Sequence, residues 1–224
     1  MRDGLKKLVE AGMGKPDTVL VCGVGGGADL EYWLEHLPMN CCVAIDFAIE
    51  AIKATQRRVS NHGLPVITRY VTADIECIPL QDQSVDVVIA SQVLHHTLEP
   101  AQACKEMFRV ARRAVLLLEP AQTKVVSLFK RLGIATSVET VGNVVLRFRK
   151  SDFDYYLSDS KCSIQYSTYL FYDPPLVEKI LTAGFQFPGG LSLLKAIYWA
   201  ADRVVLPLHS KCAVLVIKRG SYAG

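Results

Sequence analysis

DTVLVCGVGGGADLEYWLEH, residues 17–36, places an apolar strand, a cluster of glycines and a helical segment in direct succession. Glycine lets the chain turn sharply because it has no Cβ to clash. When such a turn leads into a helix, the free N–H groups of the first helical turn can bind a polar or anionic ligand. The stretch therefore predicts a strand–turn–helix unit with a ligand site at the turn.

The alternation of strands and helices continues through the first half of the chain. Several strands are continuous apolar runs, which is typical of strands that are covered on both faces. Strands separated by helix-length segments form right-handed βαβ units and a parallel sheet. The sequence predicts a Rossmann-like, doubly wound α/β fold with strands at Asp17–Cys22, Cys41–Asp46, Val66–Thr72, Ser84–Ala90 and Ala114–Glu119, and helices at Ala28–His36, Ala48–Ser60 and Pro100–Arg112.

The second half of the chain has a different pattern. Residues 120–172 lack a clean period, and so long a stretch without evident fit to the sheet is typical of a lid or cap. Beyond it, Pro174–Ala183 predicts a helix, because prolines start the segment and a glycine follows it. Two further strands are predicted at Phe185–Leu193 and Cys212–Lys218. The prediction is a single domain, residues 1–224, with a lid or substrate-cap insert at 120–172.

Composition excludes several classes of protein. Of the 224 residues, 50% are hydrophobic, which supplies a full core and excludes a disordered or fibrous protein. The net charge of +3 falls short of a dedicated nucleic-acid binder. No apolar run reaches the roughly 18 residues that span a bilayer, and the N-terminus lacks the apolar part of a secretory signal. The 7 cysteines, odd in number and without a C-x-x-C pair, indicate reduced thiols in a cytoplasmic protein.

Asp46 ends the second predicted strand, about 20 residues after the glycine cluster. A carboxylate there lies at the crevice outside the carboxyl ends of the strands, where it can accept hydrogen bonds from both hydroxyls of a ribose. The same residue can also cap the helix that follows. Because Gly23-x-Gly25-x-x-Ala28 with an acid at this distance also matches the dinucleotide fingerprint, a nicotinamide-dependent reductase stays open.

Polar residues follow the third and fourth predicted strands as well. Asp74 comes directly after the third strand, where a carboxylate can accept a hydrogen bond from the exocyclic amine of adenine. The fourth strand runs into a Ser-Gln pair and a His-His pair within residues 91–96. With the glycines and Asp46, these residues resemble the class I S-adenosylmethionine-dependent methyltransferases, in particular the small-molecule branch that includes the ubiquinone and menaquinone enzymes. The resemblance covers Thr18–Pro120 well and Pro174–Phe185 loosely.

The resemblance implies a seven-stranded, mostly parallel sheet with an antiparallel C-terminal strand, and S-adenosylmethionine as the cofactor. It implies that the glycines line the methionine and ribose, that Asp46 binds the ribose hydroxyls, and that the segment after the third strand contacts adenine. The polar pair after the fourth strand would lie at the methionine end. The implied cofactor-binding residues are Cys22, Gly23, Gly25, Gly27, Asp46, Phe47, Asp74, Ile75, Ser91 and Gln92.

The implied reaction is in-line displacement, in which an oxygen or nitrogen atom of a small-molecule acceptor attacks the sulfonium methyl. The protein mainly positions the reactants and excludes water, but an alcohol or a protonated amine also needs a base. His95 and His96 are the candidates, since imidazole removes protons near neutral pH. No histidine cluster has metal-ligand spacing, so no metal is predicted. The candidate substrate-contacting residues are Tyr155, Tyr156, Tyr166 and Tyr169.

Two alternatives stay open at this point. A reductase would need a donor such as Y-x-x-x-K, which the sequence lacks. A non-catalytic partner subunit is the second, because Val21 stands where an acid often precedes the glycines and Ala111–Ala114 replaces the family's Pro-Gly-Gly turn. The apolar stretch Leu194–Leu206 is compatible with burial, a homodimer face or a membrane-surface contact. A nucleic-acid substrate is not expected, because no N-P-P-[YF] motif follows the fourth strand.

Overall fold

The structure is a computed structural model that describes residues 1–60, 66–123, 146–169 and 211–219. A short 3-10 turn, Leu94–His96, follows the fourth strand. In chain order the other elements are α1 (Arg2–Glu10), β1 (Thr18–Cys22), α2 (Ala28–His36), β2 (Cys41–Asp46), α3 (Ile49–Ser60), β3 (Ile67–Thr72), β4 (Val85–Ser91), α4 (Pro100–Val110), β5 (Ala111–Pro120), α5 (Lys150–Tyr156), β6 (Cys162–Tyr169) and β7 (Lys211–Lys218).

The strands form one 7-stranded sheet in the order β3-β2-β1-β4-β5-β7-β6. β1 lies between β2 and β4 and is parallel to both, and the pairs β2–β3 and β4–β5 are also parallel. The C-terminal strands are antiparallel. The predicted doubly wound α/β sheet is therefore confirmed. The chain leaves β1 on one side and returns to β4 on the other, so the carboxyl ends of these two strands flank the crevice where such sheets bind ligands.

The centre of the sheet is covered on both faces. Every residue of β4 from Val85 to Ala90 is buried, and Trp33 on α2 and Met107 on α4 are fully buried as well. This two-sided cover explains why the central strands are continuous apolar runs. The apolar centre leaves polar groups at the two ends of the strands, where loops meet solvent.

Several element boundaries differ from the sequence-based predictions. The structure contains α1, α5 and β6, which the patterns do not predict, and the latter two lie within the predicted cap at 120–172. The predicted helix end at Arg112 is wrong, because Ala111 already pairs with Val85 in the sheet. Whether the rest of the 120–172 segment covers a substrate stays a prediction.

Two predicted elements, the helix at 174–183 and the strand at 185–193, lie outside the described residues. The chain falls into two compact units, each of which is built from separate segments. The first comprises Met1–Glu119, Lys150–Tyr166 and Ala213–Gly224, and the second comprises Pro120–Arg149 and Ser167–Cys212.

In the described part of the second unit, Ala121 and Phe148 form a parallel bridge, and the Phe148 amide donates to the Pro120 carbonyl at 2.8 Å. In the part of the chain that the structure describes, no helix is long and apolar enough to cross a membrane.

Asp86 organises the amino end of the sheet. Its buried carboxylate accepts hydrogen bonds from the backbone amides of Asp17 and Thr18, at 2.9 and 3.2 Å. The other oxygen of Asp86 accepts a 2.7 Å hydrogen bond from Arg112. Asp86 on β4 therefore anchors the start of β1, its neighbour in the sheet.

Replacing Asp86 with leucine should lower the free energy of unfolding by about 2 kcal/mol, because two backbone amides lose their acceptor. Urea titration of wild type and variant would measure the difference. Glu50→Leu is the control, since the exposed pair of Glu50 with Lys53 contributes at most about 0.5 kcal/mol. Equal losses in the two variants would contradict the anchoring role.

Arg109 on α4 holds the segment that follows β3. Its guanidinium donates to the carbonyl oxygens of Ile78 and Leu80 at 2.9 and 2.8 Å, and to the carboxylate of Glu106 at 2.7 Å. The hydrogen bonds from Arg109, followed by one from the Ile78 amide, hold the pKa of Glu106 below its ordinary value. The charged form of Glu106 is therefore favoured by folding.

The stability that Glu106 contributes should depend on pH. Because its folded-state pKa is lowered, the contribution is fully present above the unfolded value of about 4.3 and is lost as the pH falls through the folded value. Denaturant titrations of wild type and Glu106→Gln should show a difference in unfolding free energy at pH 7 that shrinks toward pH 3. A difference that stays constant over this range would exclude the proposed linkage.

Candidate functional site

The glycine loop, Gly23–Gly27, joins β1 to α2. Its first, third and fifth residues have φ values of +67°, +49° and +85°, in the left-handed region that favours glycine. The Gly23 amide donates to the Ile45 carbonyl at 2.8 Å, which attaches the loop to the end of β2. The hydroxyl of Thr55, on α3, donates to the Gly25 carbonyl at 2.9 Å. The loop is therefore held by elements on both sides of it.

Gly23 and Gly25 have different surroundings. A Cβ on Gly23 would lie 2.3 Å from Cγ2 of Val93, whereas a Cβ on Gly25 would meet nothing within 4 Å. Val93 thus occupies the space that a side chain at Gly23 would need. The open space beside Gly25 allows a ligand to approach the backbone of the loop.

Asp46 lies at the carboxyl end of β2 and contacts the glycine loop. One carboxylate oxygen accepts a hydrogen bond from the Gly25 amide and the other accepts one from the Ala48 amide, both at 2.9 Å. Each oxygen has a second lone pair, so the half-buried carboxylate can still accept hydrogen bonds from a diol. The next side chain, Phe47, is 79% exposed and is available to cover a flat ring.

The segment after β3 contains the predicted adenine-contacting residues. Asp74 is exposed and accepts a hydrogen bond from the Glu76 amide at 2.9 Å, while the adjacent Ile75 is buried. The Glu76 carboxylate in turn accepts hydrogen bonds from the backbone amides of Leu98 and Glu99, at 2.8 and 3.1 Å. These bonds link the segment after β3 to the segment after β4.

Gln92 begins the turn that follows β4. Its φ is +56°, which is uncommon for a residue other than glycine. Its backbone amide and its side-chain Nε2 both donate to the Leu118 carbonyl on β5, at 2.9 and 2.8 Å. The preceding Ser91 is half-buried at the end of β4. Two bonds to one carbonyl therefore hold the strained start of this turn.

The two candidate catalytic histidines lie side by side in different environments. His95 is 4% exposed, and its Nδ1 lies 2.8 Å from the Oε2 of Glu119. His96 is exposed, and the centroids of the two rings are 4.0 Å apart. Burial makes His95 a poor partner for a diffusing acceptor, whereas His96 is accessible.

The candidate substrate tyrosines lie on two elements. Tyr155 and Tyr156 are on α5, and Tyr155 is 76% exposed. Tyr156 and Tyr166 pack near the buried ring of Phe153, with centroid distances of 6.1 and 6.5 Å. Tyr169 ends β6 and belongs to the second compact unit. Two of the four candidates thus contribute to a small aromatic cluster of the first unit.

Sequence reasoning missed three residues that shape this site. Thr55, Val93 and Glu119 hold the glycine loop and the turn after β4. Glu119 has a recognisable pattern, because it is a charged residue that ends the apolar run of β5. The other two have ordinary patterns, since a threonine on a helix and a valine after a strand are common.

The methyltransferase domain family matches residues 20–118, a span that contains the glycine loop, Asp46, Asp74 and the turn after β4. This matched region, less than half of the chain, resembles a methyltransferase domain. The malonyl-[acyl-carrier protein] O-methyltransferase of Marinomonas sp. (strain MWYL1) is 35% identical over 101 residues, which are 45% of this chain and 36% of that protein. The chain spans 27% to 36% of the length of the first curated relatives it matches.

Solved structures share the fold of this chain. The YcgJ protein from Bacillus subtilis aligns with a TM-score of 0.67 and 18% identity, covering 98% of this chain and 99% of that one. The magnesium protoporphyrin IX methyltransferase ChlM from Synechocystis PCC 6803, with bound S-adenosylhomocysteine, aligns with a TM-score of 0.64 and 13% identity. That alignment covers 97% of this chain and 81% of ChlM.

The residues present fit S-adenosylmethionine, the cofactor that the sequence resemblance implies. Open space beside Gly25 allows close approach to the loop, and the carboxylate of Asp46 retains lone pairs for the two ribose hydroxyls. Among the described residues, no group of three or more His, Cys, Asp or Glu side chains could hold a metal ion.

Alanine substitutions at Gly23 and Gly25 should differ in cost. Both residues have positive φ, so each alanine carries a backbone penalty of about 1 kcal/mol. Gly23→Ala adds a clash with Val93 and should lose about 2 kcal/mol or more in total. Urea titrations of the two variants measure these losses. The double variant Gly23→Ala/Val93→Ala should recover the clash component, and failure to recover it would contradict the packing described here.

Proposed function

We propose that the protein transfers a methyl group from S-adenosylmethionine to an oxygen or nitrogen atom of a small-molecule acceptor by in-line displacement. The observation that carries the proposal is the position of Asp46. This residue ends β2, and its carboxylate accepts a hydrogen bond from the Gly25 amide at 2.9 Å. A carboxylate at this point of a doubly wound sheet suits the ribose hydroxyls of an adenosine cofactor. The family match over residues 20–118 favours a sulfonium cofactor over a nicotinamide.

The proposed cofactor contacts divide by element. The glycine loop would contact the methionine and ribose, the residues after β2 and β3 would contact ribose and adenine, and the end of β4 would lie near the methionine. Burial raises the pKa of the Cys22 thiol, so Cys22 would contribute its backbone and not a thiolate. The residues are Cys22, Gly23, Gly25, Gly27, Asp46, Phe47, Asp74, Ile75, Ser91 and Gln92.

When bound, S-adenosylmethionine supplies an electrophilic methyl group, so the chain's residues have mainly to orient the acceptor and exclude water. We assign proton removal from the acceptor to His96, because it is exposed beside the end of β4. The burial of His95 and its hydrogen bond with Glu119 support a positioning role for that ring instead.

Oxygen is the favoured acceptor atom, because one similar protein is an O-methyltransferase. The exposed Tyr155 and the neighbouring Tyr156 are proposed to contact the acceptor, with Tyr166 and Tyr169 as further candidates. All seven cysteines are free thiols, which supports a reducing, cytoplasmic location. A homodimer formed through 194–206 stays a prediction, since that stretch lies outside the described residues.

The proposal predicts that S-adenosylhomocysteine binds the wild-type protein and that Asp46→Ala weakens binding at least about tenfold, through the loss of charge-assisted hydrogen bonds to the ribose. Isothermal titration calorimetry measures the dissociation constants. Thr55→Val is the control, because it removes a bond to the loop but keeps the carboxylate, and it should have the smaller effect.

NADH is titrated in parallel with each protein. Binding of NADH alone would overturn the proposal in favour of a reductase. No binding of either ligand to a folded sample would favour a non-catalytic partner subunit. If Asp46→Ala and Thr55→Val raised the dissociation constant equally, Asp46 would act by holding the glycine loop and not by binding the ribose.

A further inference from the structure

Glu119 is a fully buried carboxylate at the end of β5. Its Oε1 accepts hydrogen bonds from the backbone amides of Val93 and Leu94, at 3.0 and 2.9 Å. Its Oε2 lies 2.8 Å from Nδ1 of His95. One side chain thus bonds three successive residues of the turn after β4. An acid buried at this depth needs such donors, because desolvation of an unpaired carboxylate is very unfavourable.

The turn that Glu119 holds packs directly on the glycine loop. The side chain of Val93 occupies the space where a Cβ on Gly23 would lie, at 2.3 Å from Cγ2. A shift of the Val93 backbone would therefore open or close the contact with Gly23. In this way the Glu119 carboxylate, on β5, determines the position of a residue that packs against the end of β1.

We propose that Glu119 is a positioning residue for cofactor binding, which holds Val93 against Gly23 and so keeps the glycine loop in its binding conformation. The inference rests on the proposed function, because it takes the glycine loop as the S-adenosylmethionine site. Glu119 acts through the turn and makes no contact with the cofactor itself. Its effect is transmitted by the two hydrogen bonds that Oε1 accepts from the backbone amides of Val93 and Leu94.

Glu119 also contacts the ring of His95. Its Oε2 lies 2.8 Å from Nδ1 of that ring, a hydrogen-bonding distance. This bond fixes the plane of the His95 ring, which lies 4.0 Å from the ring of His96. A glutamine at position 119 can separate the two kinds of contact. It keeps an oxygen that accepts the hydrogen bonds from the Val93 and Leu94 amides, but it changes the group that faces His95.

Asp86 provides a matched control on the neighbouring strand. It too is a buried carboxylate that accepts two backbone amides with one oxygen and contacts a basic side chain with the other. Its partners lie at the amino end of the sheet, away from the glycine loop. Loss of Asp86 should therefore reduce stability without changing affinity for the cofactor.

The test compares Glu119→Met, Glu119→Gln and Asp86→Leu by calorimetric titration with S-adenosylhomocysteine, at a temperature where circular dichroism shows each to be folded. Glu119→Met removes the acceptor at similar volume and should raise the dissociation constant at least about tenfold, the equivalent of one charge-assisted hydrogen bond. Glu119→Gln keeps an oxygen for the two amides and should stay within about threefold of wild type. Asp86→Leu should bind S-adenosylhomocysteine with the dissociation constant of the wild type.

Amide spectra supply a readout that stability alone would not change. In ¹H–¹⁵N spectra of the ligand-free proteins, the Val93 and Leu94 amide protons should shift upfield in Glu119→Met and remain near their wild-type positions in Glu119→Gln. Val93→Ala keeps the carboxylate and removes only the side chain that packs on Gly23, so it should also weaken binding. This variant tests the inference even if Glu119→Met does not fold.

The outcomes separate the two proposals. Wild-type affinity in both Glu119→Met and Val93→Ala would overturn the positioning role, and the loss of binding in Asp46→Ala would still support the proposed function. Equal weakening in Glu119→Met and Asp86→Leu would also overturn it, because the effect would then follow stability. No binding of S-adenosylhomocysteine to the folded wild type would overturn the proposed function and this inference with it.

Discussion

The left-handed turn at Gly23 is the constraint on which the site depends. Its φ of +67° is open to glycine, and the adjacent Val93 leaves no room for a Cβ. The turn redirects the chain from β1 into α2 while its amide remains bonded to Ile45 at the end of β2. Because β1 and β2 are parallel and in register, Gly23 and Asp46 leave the sheet at the same edge. The loop and the carboxylate therefore meet without any long-range adjustment of the chain.

Two buried carboxylates complete what the apolar sheet cannot supply. The central strands are held by apolar packing, which is non-directional, so their ends need polar contacts to position the flanking backbone. Asp86 does this at the amino end of β1 and Glu119 does it at the carboxyl end of β4. In each carboxylate, one oxygen accepts hydrogen bonds from two backbone amides. These bonds satisfy N–H donors that the sheet leaves unpaired. The same arrangement of hydrogen bonds thus positions the backbone at the amino end of β1 and at the carboxyl end of β4.

The parts of the fold that sequence predicts are those with a local cause. The apolar run of β4, the glycines after β1 and the acid after β2 each follow from a few neighbouring residues. β6 gives a weaker signal, because its residues are mostly half-buried at the edge of the sheet and its short apolar–polar alternation lies in a segment that otherwise lacks a clean period. Glu119 is visible as a charge after an apolar run, but the amides it accepts lie 25 and 26 residues earlier in the chain. Only the pairing of β4 with β5 brings them together.

The histidine pair shows the same limit at the level of single residues. His95 and His96 are adjacent and chemically identical, so sequence alone treats them as equal candidates for a base. The 3-10 turn directs one ring toward the buried Glu119 and leaves the other exposed. A base must reach the proton of a diffusing acceptor, whereas a positioning residue must be held rigidly by its neighbours. The turn therefore gives two identical side chains different environments, a buried one beside Glu119 for His95 and an exposed one for His96, and the base proposed above is the exposed ring.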